Sequence, residues 1–112
     1  MAPVVHVVLF QFKADLPATE RTRLCKQMLG LKDVCLHPLS EKPYIRSSMG
    51  GLDMSIEGAQ GGMTHAFVVE FASCEDRDYY IRQDPAHKAF VESMLPKLVQ
   101  ARIVDFSPGV FR

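Results

Sequence analysis

A chain of 112 residues, 47% hydrophobic and 23% charged, has the size of one domain and buries about 65% of the surface its unfolded form exposes. Thirteen basic residues balance thirteen acidic ones, without a basic run or stripe, so the electrostatic footprint of a nucleic-acid binder is missing. Cys25, Cys35 and Cys74 are odd in number and widely spaced; they read as reduced thiols of a cytoplasmic protein, not as a disulfide framework or zinc site.

The first apolar stretch, Val4 to Phe12, is too short to span a membrane and is interrupted by His6 and Gln11. No charged segment precedes it, so neither a membrane nor a secretory route is expected. Its β-branched and aromatic residues predict a strand. Val4, His6, Val8, Phe10 and Phe12 fall on one face, and Val5, Val7 and Leu9 on the other, so cover is expected on both. Pro17 favours a helix start; Leu24, Met28 and Leu31 recur at helical spacing, and Gly30 offers a stop. No period is legible from Asp33 to Pro43. Tyr44 to Met49 reads as a weaker strand running into Gly50 and Gly51. The glycine-bearing stretch from Leu52 to Gly62 reads as an exposed loop, a common place for function.

Met63 to Phe71 is the clearest later strand, with His65, Phe67, Val69 and Phe71 sharing a face. Ser73 and Asp76 resemble a capping box and open a helix through roughly Arg82. Asp84-Pro85 breaks it, Asp84 serving as N-cap of the next helix. That helix places His87, Phe90, Met94, Leu95 and Leu98 on one face, bent at Pro96. Ala101 to Phe106 is the last strand, and Ser107-Pro-Gly closes a single domain over residues 1–112. The order β-α-β-β-α-β is the ferredoxin-like α+β pattern. Helices on one side of such a sheet leave Val5, Val7, Leu9, Ala66 and Val68 bare on the other. A two-fold homodimer with facing sheets is the economical cover. Glu70 belongs to that face and is expected to find a basic partner or water.

Several spaced motifs agree in order across nearly the whole chain: Val5-His6-Val7-Val8-Leu9-Phe10, Gly61 through Phe71, Tyr80 with Asp84-Pro85-Ala86-His87-Lys88-Ala89-Phe90, and Val104-Asp105-Phe106. Together they resemble the stress-responsive dimeric α/β-barrel (Dabb) family. The resemblance implies a ferredoxin-like protomer and a homodimer whose sheets close into a barrel, but not one activity. Some plant members are known as stress-induced proteins, and one is a polyketide cyclase that closes a linear chain by aldol condensation without a cofactor. Similarity to that enzyme implies His87 as base and Tyr80 as its orienting hydroxyl, with His6 and His65 lining the pocket. Asp84 stands where that enzyme has histidine.

The residues suit such chemistry. If their faces pack under the helices, His6, His65 and His87 converge on an apolar pocket walled by Phe10, Phe67, Phe90 and Met94. A neutral imidazole takes an acidic α-proton near neutral pH, and a tyrosine hydroxyl or second imidazole holds the developing oxyanion. The apolar wall would take a hydrophobic small molecule. No histidine pair has the local helical spacing of a metal site, and no phosphate-binding or dinucleotide fingerprint is present, so no metal and no cofactor is expected. The expected function is cyclase-like chemistry: cyclisation, dehydration or decarboxylation. The alternative is a non-catalytic, stress-responsive protein that binds small molecules or a partner through the same features.

Overall fold

The computed structural model describes residues 2–112. Strand β1 (Val4–Phe12) leads into helix α1 (Ala18–Val34), followed by β2 (Ile45–Leu52) and β3 (His65–Phe71). Helices α2 (Cys74–Arg82) and α3 (Pro85–Met94) come next, then a 3₁₀ turn (Leu95–Lys97) and β4 (Leu98–Phe106). The strands form one sheet in the order β2-β3-β1-β4, every neighbouring pair antiparallel. This is the ferredoxin-like arrangement.

Alternation in β1 decides which side is core. Val4, His6, Val8, Phe10 and Phe12 are at most 4% exposed, while the intervening residues are half-buried. Leu24, Met28 and Leu31 of α1, Tyr80 of α2, and Phe90 and Met94 of α3 join the same buried cluster with Phe67, Val69 and Phe71 of β3. The other sheet face carries Val7, Met49, Val68, Val104 and Phe106, with Met49 65% and Val104 64% exposed. Glu70 finds its basic neighbour there in Arg46, at 3.7 Å, and accepts a hydrogen bond from the Ser47 hydroxyl at 3.4 Å.

Strand β3 begins at His65 and not at Met63, and three other boundaries differ further from the sequence-based expectation. Helix α1 does not stop at Gly30 but continues to Val34. Interior glycine costs about 1 kcal/mol relative to alanine; burial of Leu31 and Cys35 on the continuing apolar stripe outweighs that cost. Leu98 leaves the helix and begins β4, pairing with Phe12. Pro96 cannot continue an α-helix, because it lacks an N–H and its ring meets the carbonyl four residues back.

The third difference lies in β2, which runs through Gly50 and Gly51 to Leu52. A Cβ on Gly50 would stand 2.2 Å from the Phe67 ring and 2.7 Å from the Ala66 carbonyl oxygen. The glycine that looks like a strand end is what lets β2 pass beneath Phe67. Gly50→Ala is expected to cost about 1–3 kcal/mol through overpacking. Gly51→Ala, with open space around it, should change stability by no more than about 0.5 kcal/mol. Urea unfolding of the two variants side by side checks this.

The N-terminal helix signals behave as expected. The Ser73 hydroxyl accepts from the Asp76 N–H at 3.2 Å, and the Asp84 carboxylate accepts from the Ala86 N–H at 2.9 Å.

Candidate active site

Between β1 and β4 on one side and α2 and α3 on the other lies a cavity of about 420 Å³. His6, Phe10, Tyr80, His87, Phe90 and Met94 line it. Six of the eight residues expected at the site are therefore brought together.

His65 and Phe67 are not among them. The β1–β3 register sets His65 opposite Phe10, whereas His6 lies opposite Val69. Four residues of strand separate the two levels by about 13 Å. His65 instead packs edge-on against Phe12, ring centroids 5.0 Å apart. Phe67 is 1% exposed and supports the Phe10 ring from behind at 5.5 Å.

His6 is 2% exposed and is anchored by a residue to which the sequence reading gave no role. Its Nδ1 lies 2.7 Å from Oδ1 of Asp105, on the neighbouring strand β4. A carboxylate only accepts, so Nδ1 carries a proton, and in the neutral ring Nε2 is the bare nitrogen. The second Asp105 oxygen accepts from the Arg77 guanidinium at 2.8 Å, and Arg77 also donates to Asp78 at 2.8 Å. Asp105 thus orients His6 while Arg77 of α2 holds Asp105 in place. The clue in the sequence was a charged residue at the alternating position of β4 that faces the core, where it needs a partner.

His87 sits differently. Its ring stacks on Tyr80, with centroids 3.9 Å apart and planes at 31°. Its Nδ1 is buried without a hydrogen-bond partner. Tyr80 therefore meets His87 through ring stacking, in place of the orienting hydroxyl expected from the sequence. Burial pushes the His87 pKa below the usual 6.5, the Tyr80 backbone carbonyl pulls the other way, the His6 ring adds to the lowering, and Asp84 opposes it. Burial also raises the Tyr80 phenol, with Cys35 and Asp84 adding to the effect. Both groups are held neutral.

The N-terminus of α3, which carries His87, is fixed from below. Tyr44 donates to Asp84 at 2.5 Å, and Asp84, 2% exposed, caps the helix. Cys35 lies beside this pair; burial first, then Asp84, pushes its thiol up to about 12, which keeps it protonated and inert.

Lowered histidine values have a consequence for stability. His65 is lowered by burial and by Arg21, and His87 chiefly by burial. Each binds a proton more readily unfolded than folded. Their contribution is complete above about pH 6.5 and is lost as pH falls through that value toward the folded ones. The urea midpoint should therefore decline from pH 7.5 to pH 5, and less steeply in His87→Gln than in wild type.

Among the described residues, no group of three His, Cys, Asp or Glu side chains is arranged to hold a metal ion. No helix of the described residues is long and apolar enough to cross a membrane.

Comparison with known proteins accords with this geometry. The sequence profile of the stress responsive A/B barrel domain matches residues 4–108. The chain belongs to the Dabb family. A stress-response A/B barrel domain-containing protein of Arabidopsis thaliana, HS1, is 31% identical over 106 residues, covering 95% of this chain and 90% of that one. The crystal structure of the Arabidopsis thaliana protein At3g17210 is 29% identical with a TM-score of 0.82, over 97% of this chain and 98% of that chain. Hydroxynitrile lyase from Passiflora edulis shares the fold at a TM-score of 0.84 and 18% identity, over 99% and 98% of the two chains. A ferredoxin-like protein of Thermobifida fusca, described as dimeric, shares it at 0.72 and 18%, over 95% and 91%. The Dabb protein thus has ferredoxin-like relatives along nearly its whole length.

Proposed function

We propose that this Dabb protein is a homodimeric, cofactor-free acid–base catalyst acting on a hydrophobic, oxygen-rich small molecule of polyketide type. The observation that carries the reading is the His6–Asp105 pair on the wall of an apolar cavity that also holds His87, neutral and with no hydrogen-bond partner at Nδ1 among the described residues. Such a cavity falls within the usual size of small-molecule sites, about 300–1,000 Å³. A hydroxynitrile lyase built on the same fold is in keeping with catalysis on this scaffold.

On a poly-β-keto chain, His6 Nε2 removes a proton from a carbon between two carbonyls, and Asp105 stabilises the imidazolium that results. The electron pair left on that carbon attacks a distant carbonyl carbon of the same chain. A carbon–carbon bond forms, and the carbonyl π pair moves onto its oxygen. That oxygen then takes the proton back from His6. The ring closes with no net change in oxidation state, and loss of water or carbon dioxide follows from the same pair of groups. His87 and the Tyr80 hydroxyl hold the developing oxyanion. Burial weakens His87 as a base, and among the described residues no carboxylate orients its ring as Asp105 orients that of His6. The proton-accepting role therefore moves from His87, where the family resemblance put it, to His6. Phe10, Phe90 and Met94 take the alkyl part of the substrate and exclude water.

Wild type and His6→Ala incubated with a panel of poly-β-keto thioesters, followed by mass spectrometry and product NMR, test the reading. Cyclised or dehydrated product from wild type alone supports it. Saturable binding with no turnover on any member would replace it with a non-catalytic binding protein.

The homodimer rests on the bare sheet face: Val5, Val7, Leu9, Val68, Val104 and Phe106 make an apolar surface that water does not favour. Val7→Lys, at its centre, should convert a dimer into a monomer by light scattering at matched concentration. The isosteric Val7→Thr should retain the dimer.

A further inference from the structure

A second cleft, of about 220 Å³, opens between α1 and the β2–β3 side of the sheet, and it shares no lining residue with the first. Arg21, Cys25 and Lys26 come to it from α1, and Gly50, His65 and Phe67 from the sheet. No carboxylate lines it, although the chain as a whole is neutral. Two cations therefore face a small, partly apolar space without a counter-ion.

Its parts are held in place. The Arg21 Nε–H donates to the Leu16 carbonyl at 3.0 Å, which anchors the guanidinium and leaves its other donors for a planar anion. Gly50 lets the Phe67 ring lie across the strand as an apolar floor. The Thr64 hydroxyl donates to the Phe10 carbonyl at 3.2 Å and so accepts from His65 Nδ1, 2.9 Å away. Nε2 is left as the bare nitrogen of a ring that lines the cleft.

We propose that this cleft is a binding site for a small carboxylate carrying an aryl or short alkyl group. Arg21 and Lys26 take the carboxylate, and Phe67 with its apolar neighbours takes the ring or chain. The volume, below the usual range for drug-sized ligands, excludes an extended polyketide and suits a single ring. The same site couples binding to protonation. Burial and Arg21 keep His65 neutral in the free protein; an anion seated beside both opposes them, so His65 gains a proton as the ligand arrives. This holds whether or not the first cavity is catalytic.

The experiment is an NMR titration of the intact, isotope-labelled protein with benzoate, and with benzamide as a neutral shape match. Benzoate should produce saturable shifts at the Cys25, Gly50 and Gly51 amides and move the His65 titration to higher pH. Benzamide should not. Lys26→Gln changes an exposed residue and leaves the fold intact; it should weaken benzoate by about tenfold, the worth of one charge-assisted contact. Arg21→Gln should weaken it at least as much. The proposal is overturned by absence of saturation, by equal shifts from benzamide, by full benzoate affinity in Lys26→Gln, or by shifts confined to the surroundings of His6 and His87.

Discussion

Replacing Asp105 with asparagine should lower kcat/KM on a cyclising substrate by about 10²–10⁴-fold while leaving the fold intact. The amide fills nearly the same space, so packing around His6 is preserved. Its chemistry is inverted: an amide N–H in place of Oδ1 donates to Nδ1, which drives the imidazole proton onto Nε2. The atom that must accept the substrate proton is then already occupied. The amide also carries no charge to stabilise an imidazolium; its oxygen, at the Oδ2 position, still accepts from Arg77, so Arg77 loses the charge of that partner and not the hydrogen bond. Because the residue acts through His6, kcat should fall much more than KM rises, and circular dichroism should match wild type. A loss confined to KM would show that Asp105 shapes binding and not proton transfer.

Phe71→Ala should destabilise the protein by about 3–5 kcal/mol, the usual cost of emptying a fully buried phenylalanine site. Phe71 is 0% exposed and stands at the junction of the core and the site. Its ring lies 5.0 Å from Tyr80, 6.1 Å from His6 and 6.3 Å from Tyr44. The cavity left behind would open directly beneath the groups that position His87 and the Asp84 cap. Urea unfolding at fixed protein concentration measures the loss, since association also contributes to apparent stability. A loss under about 1 kcal/mol would mean that neighbouring rings collapse into the space.

Much of this was written in local sequence pattern. Strict alternation in β1 and β3 identified the core faces, and the two N-caps at Ser73 and Asp84 located α2 and α3. What misled was glycine. Gly30 lies within a helix held by the apolar residues on either side of it, and Gly50 lies within a strand because Phe67 crosses over it. Neither reason is visible without the neighbouring element. The site divided in the same way. Phe10, His87, Phe90 and Met94 follow from the faces of single elements, and Tyr80 from the family resemblance. Separation of His65 from His6 depends on the β1–β3 register, and partnership of Asp105 with His6 on the β1–β4 register. Both are long-range choices that no local period encodes.

The central claim is that two imidazoles in one apolar cavity are held in different, complementary states: His6 with its proton on Nδ1, presenting Nε2, and His87 neutral. Long-range ¹H–¹⁵N correlation spectra of the histidine rings at pH 7, assigned through His6→Gln and His87→Gln, read these states directly and need no substrate. The account predicts a hydrogen-bonded Nδ1 proton on His6 that is lost in Asp105→Asn, and a His87 ring that takes up its proton only below pH 6.5. A His87 already charged at pH 7, or a His6 whose proton sits on Nε2 in the wild type, would contradict it.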